Sequence, residues 1–168
     1  NVRKISLVIN IHINFEKIKE TRMRLTIFAL FALLFSANTA IADGHGKPNA
    51  FGFALNVPAE HIAEVEAILA SHMKFMESTH TVTGDASTRL NSYSVIEGPV
   101  LIDPTDPSKG TTGSMMYILS EHYETPKGFA KHMEASTGWS DLPKMQEMMM
   151  NFGVGAVYPG FHMQSMNR

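Results

Sequence analysis

The sequence predicts one α+β domain built on a four-stranded antiparallel sheet, and three observations carry that prediction. Strand-length runs of alternating hydrophobicity recur along the chain, segments between them repeat apolar residues at spacings of three and four, and Pro- or Gly-rich stretches separate the runs. Ala50 to Val57 alternates Phe51, Phe53 and Leu55 as a strand does. Pro58 then opens a helix of about Ala59 to Ser78, with Glu60 and Glu64 near the positive end of its dipole and a stripe of Ile62, Val65, Leu69, Met73 and Met76. TVTGDAST is a turn-rich loop, and Arg89 to Gly98 is a second strand. Pro99 to Gly113, with three prolines and two glycines, reads as a long hairpin loop.

Ser114 to Tyr123 is the most strand-like run in the chain. Its pleat sets Met115, Tyr117, Leu119, Glu121 and Tyr123 on one face and Met116, Ile118, Ser120 and His122 on the other. Thr125-Pro126 opens a second helix to about Ser136, with Phe129, Ala130 and Met133 on its apolar side, His132 at the edge, and Gly138 as its stop. Asp141 to Asn151 forms a short Met-rich helix, and FGVGAVYPGF is a last strand whose glycines mark a bend or close packing. The order is the split β-α-β, ferredoxin-like βαββαβ arrangement. With helices on one side of the sheet and both faces of the third strand largely apolar, a homodimer packed sheet to sheet is expected.

Ahead of this domain, Met23-Arg24 precedes an apolar run of 11 residues from Leu25 to Phe35 and the small-residue stretch SANTAIA. Residues 23–42 read as a secretory signal peptide cut after Ala42. The run falls short of the roughly 20 apolar residues a spanning helix needs, so no stable membrane insertion is expected after cleavage, and the product is secreted or periplasmic. Residues 1–22 hold no Met and read as an upstream extension without function, 43–49 as a flexible leader, and 50–168 as the folded domain.

Six of the 14 Lys/Arg and two of the 16 Asp/Glu precede Asp43, which leaves 8 basic against 14 acidic residues and a net charge of −6 beyond the cut. An acidic domain without a basic block is no nucleic-acid binder. The absence of cysteine excludes disulfide scaffolds, zinc ribbons and thiol nucleophiles. GxSxG, HExxH, P-loop and GxGxxG motifs are also missing.

The stretch YILSEHYETPKGFAKHMEAS (Tyr117 to Ser136), a strand ending Glu-x-Tyr followed by a helix with Ala and His, resembles the core signature of the antibiotic biosynthesis monooxygenase (ABM) domains. Element order extends the resemblance more loosely from Ala50 to Tyr158. It implies a dimeric α/β barrel, and it carries Glu121, Tyr123 and His132 over as residues near a pocket between sheet and helices. The secretion signal and the Met-rich third helix depart from that pattern.

Such a site supports cofactor-independent monooxygenation of a small electron-rich aromatic, a quinol or phenol. A base removes a proton, and the anion passes an electron to oxygen without flavin or metal. His132 is the expected base because imidazole titrates nearest neutral pH. Tyr123 and Glu121 orient it or the substrate, and Tyr93, Trp139, Phe129 and His122 are candidate substrate contacts. A second reading, an exported ligand-binding module without catalysis, takes a small hydrophobic ligand, haem or copper. His72, Met76 and His80 stand four apart, and thioether plus imidazole is a copper-type ligand set.

Overall fold

A computed structural model describes residues 49–84 and 88–161. The segments read as upstream extension and signal peptide, residues 43–48 of the leader and residues 162–168 lie outside the described residues. The chain is an α+β ferredoxin-like fold: β1 (Ala50–Val57), α1 (Ile62–Thr79), β2 (Leu90–Leu101), β3 (Thr111–Tyr123), α2 (Pro126–Ser136), α3 (Leu142–Phe152) and β4 (Gly153–Gly160). The antiparallel sheet has the order β2-β3-β1-β4, so β1 and β3 form its centre. Among the described residues, no helix is long and apolar enough to cross a membrane.

Alternation along the two central strands makes the core. Phe53, Leu55 and Val57 of β1 and Tyr117, Leu119 and Tyr123 of β3 are buried on one face, where they meet Val65, Ile68 and Leu69 of α1, Phe129 of α2 and Met145 and Met148 of α3. Each such burial contributes about 1.5–3 kcal/mol relative to exposure. On the opposite face Ile96, Ile118 and Ala54 lie in one row across β2, β3 and β1. Ile96 is 60% exposed and Ile118 42% exposed, so this face is apolar and open in the single chain.

Three boundaries differ from the sequence reading. The expected hairpin loop of Pro99 to Gly113 is shorter, because β2 runs on through Pro99 to Leu101 and β3 already begins at Thr111. Proline lacks the N–H a central strand must donate, but β2 is an edge strand, and the register shifts between Pro99 and Leu101. The first helix is entered through a 3-10 turn, Ala59–His61, before α1 begins. Its buried face comprises Val65, Ile68, Leu69, His72, Phe75 and Met76, whereas Met73 points outward at 41% exposure. Each residue turns a helix by about 100°, so a face that takes in His72 turns Met73 away from the core.

Candidate functional site

The buried face of β3 continues past Leu119 to Glu121, a carboxylic acid only 1% exposed. The pleat that places Tyr117, Leu119 and Tyr123 inward places Glu121 there too. Tyr123 Oη donates a hydrogen bond to Glu121 Oε2. Tyr93 stands directly across from Glu121 on β2, and its hydroxyl lies 3.0 Å from Nδ1 of His72 on α1. His72 Nε2 faces Glu121 Oε1 at 3.6 Å, and His132 Nε2 from α2 faces Glu121 Oε2 at 3.7 Å. Both imidazoles are 4% exposed. The three ligand-type atoms lie within 4.8 Å of one another. Neither separation is a hydrogen bond, and Glu121 Oε1 and His132 Nδ1 have no hydrogen-bond partner among the described residues.

Burial controls the electrostatics of this cluster. Desolvation raises the Glu121 carboxyl to about 7, against the opposing pull of the Tyr123 hydrogen bond. It lowers His72 to about 4, with His80 adding repulsion. It lowers His132 to about 3, where His80 and His72 both add to the effect. Tyr93 and Tyr123 are pushed upward, first by burial and then by the neighbouring Glu121. Burial thus disfavours the charged form of each member, and the two His–Glu contacts are not ion pairs in the ordinary sense.

Aromatic rings wall the cluster. Phe75 stacks on Trp139 at 5.5 Å, and Trp139 lies 5.2 Å from the His72 ring. The Trp139 indole N–H donates to Ser71 Oγ at 3.3 Å, and Ser71 in turn donates to Asp141 Oδ2 at 2.6 Å. Outside Phe75 and Trp139 is a cleft of about 550 Å³ bordered by Ser71, Lys74, Ser78 and Ser140. The His80 ring lies 5.1 Å from His132 and lines a second cleft, of about 380 Å³, with Thr88, Lys131 and Glu134.

The structure therefore brings Glu121, Tyr123, His132, Tyr93 and Trp139 together, with Phe129 packed on Tyr123 at 5.8 Å. His122 projects from the opposite face of β3, and its Nε2 lies 3.2 Å from Asn49 Nδ2. Of the copper-type set, His72 faces Glu121, Met76 packs with Phe75 and Leu90, and His80 borders His132. Sequence reasoning missed Phe75, Ser71 and Asp141. Phe75 was accessible through its spacing of three from His72, whereas nothing in the sequence pairs Ser71 with Asp141.

Comparison with known proteins found no matching family model, no matching curated protein and no matching solved structure.

Proposed function

We propose that the domain is a monooxygenase-like oxidoreductase that oxidises a small phenol or quinol with molecular oxygen after export. The observation that carries this reading is the buried Glu121 carboxyl, held by Tyr123, flanked by two imidazoles and enclosed by aromatic rings. A general base works best when its pKa lies near the operating pH. Burial lifts Glu121 into that range and carries His132 far below it, so Glu121 is the proton acceptor, held in place by the Tyr123 hydroxyl. The aromatic floor of Phe75 and Trp139 receives the substrate ring from the larger cleft, and Trp139 must move aside for the ring to pass. In the net reaction a phenol becomes a quinone, one oxygen atom enters the ring and the other leaves as water. The substrate supplies all four electrons, so no external reductant is needed. The ABM resemblance of Tyr117 to Ser136 supports the same activity and a homodimer.

Oxygen uptake with a panel of phenols and hydroquinones provides the test. Wild type is expected to consume oxygen, and Glu121→Gln to lose about 100-fold or more. No uptake above buffer with any compound sinks the reading. The cleft of about 550 Å³ and its aromatic floor favour a second reading, binding of a small aromatic without turnover. Saturable quenching of the fluorescence of Trp139, the sole tryptophan of the chain, without oxygen uptake would support it.

A further inference from the structure

We propose that His72, Glu121 and His132 form a mononuclear site for a divalent transition-metal ion. The geometry is the first argument. Contacts of 3.6 and 3.7 Å between imidazole nitrogen and carboxylate oxygen are too long for hydrogen bonds. They approach the separation of two ligands on one ion: bonds of about 2.0–2.2 Å in tetrahedral array put ligand atoms roughly 3.4 Å apart. The two contacts use the two oxygens of the carboxylate, and one ligand atom from each of α1, β3 and α2 lies within 4.8 Å of the others.

The second argument is what the buried atoms lack. Glu121 Oε1 faces His72 with no donor, in a place where an unpartnered acceptor is costly. A cation between the three groups satisfies that oxygen and both Nε2 lone pairs at once. Third, outer hydrogen bonds orient two of the three ligands. With His72 Nδ1–H donating to Tyr93 Oη, the Nε2 lone pair is left facing inward, and Tyr123 holds Oε2 of Glu121, the oxygen that faces His132. Two imidazoles and one carboxylate, without thiolate or thioether, suit Zn(II), Fe(II) or Cu(II) rather than Cu(I), and leave coordination positions open for water or substrate.

The inference stands without the oxygenase reading. If both hold, Glu121 serves as a ligand and not as the proton acceptor, and a bound ion would supply the Lewis acidity that favours the phenolate.

The test uses the full chain, produced without a polyhistidine tag, stripped with chelator and titrated separately with Zn(II), Co(II), Cu(II) and anaerobic Fe(II). Calorimetry and metal analysis are expected to give one equivalent bound. Cu(II) is expected to quench Trp139 fluorescence, since that ring lies 5.2 Å from the His72 ring, and Co(II) to show ligand-field bands of mixed nitrogen and oxygen ligation. His72→Ala and Glu121→Gln should each weaken binding 100-fold or more, while His61→Ala should not change it. Should the variants fail to fold, the Cu(II) electron spin-echo spectrum of wild type decides, because this site requires coupling to two imidazole nitrogens. Absence of stoichiometric binding, binding unchanged in folded Glu121→Gln, or a Cu(II) site without two imidazoles overturns the proposal. Stoichiometric metal without oxygen uptake sustains this site and removes the oxygenase. Oxygen uptake by stripped chain that binds none of the ions does the reverse.

Discussion

Glu121 and His122 are adjacent residues with opposite environments, and the pleat of β3 alone separates them. Glu121 is buried beside two imidazoles, whereas His122 lies on the other face within 3.2 Å of the Asn49 amide. The consequence for pH is specific. Glu121 has a folded pKa of about 7 against an ordinary value of 4.5, so the folded state holds a proton that the unfolded chain releases across that interval. That contribution to stability is present below pH 4.5 and is lost as pH rises toward 7. His72 and His132 act in the other direction, because the unfolded chain takes up protons below 6.5 that the folded chain refuses until about pH 4 and pH 3. Their contribution is lost as pH falls from 6.5. In chelator-treated protein, urea midpoints across pH 3 to 9 should show a steeper acid limb for wild type than for His132→Gln. Between pH 4.5 and 6.5 the two imidazoles outweigh the single carboxyl, so stability should rise with pH in wild type and rise more steeply in Glu121→Gln. An unchanged profile in both variants would separate the cluster from the pH response.

At the scale of elements, the tightest junction is that of α3 and β4, which share no connecting residue. A Cβ on Gly153 would stand 2.3 Å from the Met149 carbonyl oxygen, inside any tolerable contact. Gly153→Ala is therefore expected to force the strand off the helix end and cost about 1–3 kcal/mol in urea unfolding. A loss under about 0.3 kcal/mol would show that the junction adjusts freely. Most elements were legible because their signals are local. Phe51, Phe53 and Leu55 alternate, Thr125-Pro126 caps a helix, and Thr125 Oγ1 does accept from the Gly128 N–H. Pro99 misled because its meaning depends on edge position, which no local pattern reveals. Glu121 and His132 were singled out together through the resemblance carried by one strand-helix unit, and they do lie side by side. His72 was not placed with them because its partners lie elsewhere in the chain, and a polar residue inside an apolar helix face breaks the stripe that defines the face.

For the whole molecule, the open sheet face sets the expectation. The row of Ile96, Ile118 and Ala54 offers a flat apolar surface opposite the helices, and the proposed homodimer covers it. Sedimentation at micromolar concentration is expected to show a dimer for wild type and a monomer for the paired substitution Ile96→Lys and Ile118→Lys, with unchanged circular dichroism. A wild-type monomer would leave that face exposed and remove the partner. The buried cluster has its own consequence for the order in which the molecule is made. Glu121 and His132 are joined by a single strand-to-helix turn and meet as soon as that hairpin-sized unit forms, whereas His72 arrives only when α1 docks across the sheet. Completing the cluster therefore coincides with closing the core between α1 and the sheet.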